Sequence, residues 1–126
     1  MVLTDISQLS AECSEWRQIL RNYREEFNDC RKALQETCKK DLTKNQLQEV
    51  EHFDNQFHIQ LINIHDLKQS IKSHSRKIES ESTEGGTPTE ATFAYHEDLL
   101  DQFLLLENTL QELRDDFRNF INATSC

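Results

Sequence analysis

Residues 50–78 read VEHFDNQFHIQLINIHDLKQSIKSHSRKI, and this stretch decides the fold. Val50, Phe53, Phe57, Gln60, Ile64, Leu67, Ile71, His74 and Ile78 recur in alternating steps of three and four, so they share one seam of a long helix. The same spacing appears earlier in Ile6, Leu9, Cys13, Trp16, Leu20, Tyr23, Phe27, Cys30 and Leu34. It returns in Leu99, Phe103, Leu106, Leu110, Leu113, Phe117 and Phe120. A helix with one apolar stripe must bury it against another element. Three such helices on a 126-residue chain do so best as an all-α, elongated, antiparallel three-helix bundle, up-down-up, with coiled-coil-like heptad packing.

Local signals set the boundaries. Thr4 is an acceptable N-cap with Asp5 in the first turn, and helix 1 is expected over about 4–41. Thr43-Lys44-Asn45-Gln46 reads as a capping box, so the chain reverses near Leu42 and helix 2 covers about 44–80. Residues 81–87 lose the periodicity and contain both glycines of the chain, which predicts a flexible linker. Thr87-Pro88-Thr89-Glu90 then offers a threonine cap, proline at the first helical position and a glutamate reaching back, opening helix 3 at about 88–122. The whole of 1–126 is expected to be one domain.

Composition narrows the partners. The formal net charge is −9, and between Glu90 and Asn122 eight acids stand against only Arg114 and Arg118. Such an excess repels phosphate backbones, so neither nucleic acid nor an anionic membrane is an expected partner. The row Arg17, Arg24, Arg31 beside the first seam is expected to pair with acidic helix 3. The N-terminus lacks the basic and apolar regions of a signal peptide, and no run of about 18 apolar residues occurs. Cys13 and Cys30 fall on the seam, Cys38 borders it, Cys126 is the last residue, and no Cys-x-x-Cys pair is present. Inert thiols in a reducing compartment, hence a cytoplasmic protein, follow from that placement.

With turns centred near residues 42 and 85, numbers at equal height add to about 85 across helices 1 and 2 and about 170 across helices 2 and 3. This rule puts Gln60 near Tyr23 and predicts a hydrogen bond between them that fixes register. It also gathers Cys13, His74 and His96 in one layer. One thiol and two imidazoles are three legs of a zinc or copper site, lacking a fourth unless Glu12 or water supplies it. The expected state is nonetheless metal-free, with the two core histidines hydrogen-bonded to each other and sensitive to acid. No cofactor is expected. The Glu-x-x-His of Glu49-Val-Glu51-His52 occurs once, with His52 outward, so it does not make a di-iron centre.

The outer faces differ among the helices. Helix 1 is polar on its far side, whereas Ile59 and Ile62 of helix 2 and Leu104 and Leu105 of helix 3 lie away from their seams at similar height. An apolar patch shared by two helices marks an interaction surface, so a protein partner is expected, foremost a second copy in a homodimer. Beside it, His65-Asp66-Leu67-Lys68 resembles the phospho-accepting box of histidine-kinase dimerisation domains. That resemblance implies His65 as phosphate acceptor, Asp66 as base and Lys68 as phosphate contact. Ser70 stands where those domains usually carry proline, and no nucleotide-binding domain follows, so it implies at most a stand-alone phosphotransfer protein. No glycine-rich phosphate loop, activated nucleophile or paired carboxylate points to an enzyme. The leading expectation is a non-enzymatic interaction or scaffold module.

Overall fold

A computed structural model describes residues 2–37, 41–83 and 86–124, with side chains described at 6–36 in the first segment. Three helices follow in order: α1 (Val2–Thr37), α2 (Lys44–Thr83) and α3 (Glu90–Thr124). At 1.5 Å per residue they are about 54, 60 and 52 Å long, and they pack side by side as an all-helical three-helix bundle.

The seams read from the sequence are the core. Every residue of the second seam is buried, and the first and third depart only at Ile6, Cys30 and Leu106, which are partly buried against the cluster. The height rule also holds: Arg31 meets Asp54, Phe27 stacks edge-on with Phe57, and Phe53 meets Phe117. Phe27, Phe53, Phe57, Phe117 and Phe120 fill the end near the first turn, with ring centroids 5.0–5.5 Å apart in successive pairs. The opposite end is built from Cys13, Trp16, His74, His96 and Phe103. One end of the core is therefore aromatic, and the other holds titratable groups.

Residues 41–43 are not helical, so α1 does not reach Asp41; the expected continuation through 38–40 lies outside the described residues, as do Cys38 and Cys126. The capping box forms as expected. Gln46 N–H donates to Thr43 Oγ1 at 3.1 Å while Thr43 N–H donates to Gln46 Oε1 at 2.9 Å. The second boundary needs correction. Helix α2 runs on to Thr83, through the first three residues of the expected linker, and α3 starts at Glu90 rather than at Pro88. Its N-cap is Thr89, whose Oγ1 accepts from Thr92 N–H at 3.2 Å. The reason is Glu81: extending α2 by a turn brings its carboxylate to Thr89 N–H at 3.0 Å and Thr92 Oγ1 at 2.8 Å. Glu81 thus does the job expected of Glu90.

Two further expectations fail. Tyr23 does not bond Gln60; its hydroxyl donates to Glu107 Oε2 at 3.3 Å, and Gln60 Oε1 accepts from Asn63 one turn on. Arg31 pairs with Asp54 on α2, and an arginine ion pair between α1 and α3 runs the other way, from Arg114 to Glu26 at 2.7 and 2.9 Å. The Arg114 guanidinium also lies 5.0 Å over the Tyr23 ring. Among the described residues, no helix is long and apolar enough to cross a membrane.

Candidate functional site

The polar end of the core is the densest gathering of reactive groups among the described residues. Seam spacing on each helix aims one residue inward at the same height: Cys13 from α1, His74 from α2 and His96 from α3, at 0, 2 and 4 % exposure. One donor atom from each lies within 4.8 Å of the other two. His74 Nε2 and His96 Nδ1 are 2.9 Å apart, and His96 Nε2 is 2.7 Å from Glu12 Oε1. Trp16 packs over the His96 ring at 4.7 Å, and Tyr95 meets His74 edge-on at 5.2 Å.

With both rings uncharged, these contacts assign one tautomer to each. A carboxylate only accepts, so His96 carries its proton on Nε2 and presents a bare Nδ1 to His74. His74 then donates from Nε2 and keeps a lone pair on Nδ1, which is buried and has no hydrogen-bond partner. Burial, helped by nearby His96, pulls the His74 pKa down to about 4, so this ring is neutral at ordinary pH. Burial also pushes the Cys13 thiol up to about 11, with the Glu12 charge acting in the same direction. The His96 hydrogen bond holds the Glu12 carboxyl below its usual range. The layer holds the neutral His74 imidazole, a protonated Cys13 thiol and the Glu12 carboxylate at its rim.

A cleft of about 310 Å³ opens beside His74, lined by Ser73, His74, Lys77, Ala91, Thr92 and Tyr95. It reaches this end of the core at His74. The sequence pattern gives no sign of Tyr95 or of the cleft, because both depend on where α3 begins.

The expected partner surface is exposed at all four positions: Ile59 38 %, Ile62 47 %, Leu104 52 % and Leu105 71 %. Successive helical residues diverge by 100°, so Leu104 and Leu105 flank the outer line of α3, one toward the α1 edge and one toward α2. The patch is therefore broader than a single stripe. Leu47 and Tyr95 are the other large apolar side chains exposed among the described residues, and all six belong to α2 or α3.

His65 is exposed on α2, but its two expected helpers part company. Asp66 lines the groove toward α3 with Asn63, Leu67, Ser70, Gln102 and Leu106. Lys68 turns toward α1, where burial and the charges of Arg24, Arg21 and Arg17 lower its pKa. Those three arginines and Lys68 form a cationic edge on an otherwise acidic protein. The height rule places Arg17 beside Lys68, so Arg17 and Arg24 of the basic row on α1 face this lysine of α2, with Arg21 one turn along, and not acidic α3 alone.

Comparison with known proteins finds no matching family model, no matching curated protein and no matching solved structure. The functional reading rests on the chain's own residues.

Proposed function

We propose that the chain is a non-enzymatic protein-interaction or scaffold module that pairs with a second copy of itself through the outer faces of α2 and α3, around Ile59, Ile62, Leu104 and Leu105. The observation that carries this reading is the mid-helix exposure of Leu105, at 71 %, beside three other exposed aliphatics. Burying what the four expose contributes roughly 4–6 kcal/mol, comparable to the low end of the cost of association. The surrounding charges then decide. Helix α3 is strongly acidic, and the Arg17, Arg21, Arg24 and Lys68 edge is basic. A two-fold axis parallel to the helices sets each copy's basic edge against the other's α3, so the chain carries both halves of a complementary interface.

A cytoplasmic location belongs to the same proposal. It is supported by Cys13 and Cys30, which are free thiols at least partly buried in the core. Light scattering after size exclusion tests the pairing. A dimer of the untagged protein that Ile62→Asp and Leu105→Asp convert to helical monomer supports it, as does weakening by salt. A monomer at all micromolar concentrations overturns it.

A second reading, stand-alone phosphotransfer at His65, is favoured by one observation: this exposed imidazole lies one turn from Lys68, among the α1 arginines that suit a phosphoryl group. The position of Asp66, in the α3 groove, removes it as the paired base. Acid-labile phosphate lost in His65→Gln supports this reading, and absence of label with small phosphodonors sinks it.

A further inference from the structure

The polar end of the core has a different use from the outer patch. We propose that Cys13, His74 and His96 bind one zinc ion, with Glu12 as the carboxylate that orients His96 and with water from the adjacent cleft in the fourth position.

The donor set is the first argument. A thiol and two imidazoles suit zinc, a borderline-soft ion indifferent to angular preference. They come from three separate helices, so the packing of the bundle assembles them, and a bound ion would in turn tie the three helices together.

The second argument is the Glu12–His96 bond at 2.7 Å. Histidines that ligate metals commonly give their far N–H to a carboxylate, which fixes the tautomer and turns the bare nitrogen inward. Here Nδ1 of His96 is that bare nitrogen, and it faces the layer. Glu12 sits at the opposite edge of the ring, which makes it an outer partner and not the fourth ligand.

The third is His74. Its Nδ1 is the buried side-chain nitrogen or oxygen with no partner among the described residues, so it is free to take the proton that an ion would displace from Nε2. Zinc between the facing nitrogens takes the place of the proton His74 now gives to His96. That proton moves to His74 Nδ1, on the ring that lines the cleft, and the Cys13 thiol loses its own to solvent, one proton released per ion.

Distances are within reach. Two nitrogens about 2.0 Å from a tetrahedral zinc stand about 3.3 Å apart, and nitrogen and sulfur about 3.6 Å apart. The His74 Nε2–His96 Nδ1 pair is at 2.9 Å, and one donor atom from each of the three residues lies within 4.8 Å of the other two, so binding asks for separations to change by roughly an ångström.

The test uses metal-free full-length protein under reductant, titrated with Co²⁺ and then Zn²⁺. One equivalent of Co²⁺ is expected to give a near-ultraviolet thiolate charge-transfer band that Zn²⁺ abolishes and that is missing in Cys13→Ala. Glu12→Gln is expected to keep the fold and weaken zinc binding about 10- to 100-fold, acting through His96. If Cys13→Ala fails to fold by circular dichroism, Glu12→Gln and His96→Gln decide by the same titration. Absence of the band, or zinc affinity unchanged in these variants, overturns the proposal and assigns any bound ion to exposed histidines or acids elsewhere.

Discussion

Thr92, buried in the first turn of α3, donates its hydroxyl to Glu81 of α2 at 2.8 Å, so the last turn of one helix caps the start of the next. The same carboxylate accepts the Thr89 N–H, and these two bonds hold the Glu81 carboxyl below its usual pKa. Thr92→Val keeps the shape, removes the hydroxyl and leaves Thr89 as a lone cap. The expected loss is about 1–2 kcal/mol in urea unfolding. Glu81→Gln removes the charge and leaves one acceptor oxygen where the carboxylate offers two, so it is expected to destabilise as well. Equal stability of Thr92→Val and the parent would show that the cap adds nothing to Thr89.

Metal-free protein is expected to lose stability in mild acid through His74. Its folded pKa of about 4 lies below the usual 6.5, so between these values the unfolded chain binds more protons than the folded one. Stability therefore rises with pH across this window, is fully present above about 6.5 and falls as pH drops toward 4. The shift corresponds to about 3 kcal/mol. His74→Leu removes the titrating group, and chemical denaturation at pH 4.5 and pH 7.5 is expected to show a smaller difference for the variant. An undiminished difference would place the acid sensitivity in other groups.

How much of this was legible follows from period and distance. The seam positions were readable because burial on a helix obeys a 3-4 spacing that the sequence displays directly, and the height rule located Cys13, His74 and His96 because antiparallel helices of nearly straight rise conserve number sums. What stayed hidden was decided by side-chain reach. Tyr23 goes to Glu107 and Arg114 to Glu26 because the flanks of α1 and α3 meet through long polar side chains, and nothing in either helix's own periodicity names its flank partner. The start of α3 was misplaced because Thr87 and Thr89 are equally good caps locally. Only Glu81, from another helix, discriminates between them.

The Arg114–Glu26 clamp is partly exposed, at 30 and 37 % of the side chains, so solvent screens it. Its paired geometry and the Tyr23 ring beneath favour arginine over lysine. Arg114→Lys is expected to cost up to about 1 kcal/mol, and a double-mutant cycle with Glu26→Gln to give a coupling of similar size. The tie between α1 and α3 should loosen locally, read as faster amide exchange near Glu26. A coupling of zero would class the pair with surface ion pairs that add nothing.

Gln60 offers the sharpest separation between the sequence reading and the structure. A buried amide bonded to Tyr23 across helices would specify register, and its loss would let the helices slide. Instead, among the described residues, its oxygen accepts from Asn63, a residue on its own helix one turn away, which carries no information about α1 or α3. The side chain stays 8 % exposed beside a cleft shared with Gln56, Thr109 and Glu112. Replacing it with an apolar side chain of similar size removes a polar group from the core without orphaning a partner on another helix. Gln60→Leu is therefore expected to keep the fold and to raise stability by about 1 kcal/mol, measured as a higher urea midpoint at unchanged slope. A lower midpoint with a shallower slope would show that the amide does hold the register, through a contact stronger than the one to Asn63.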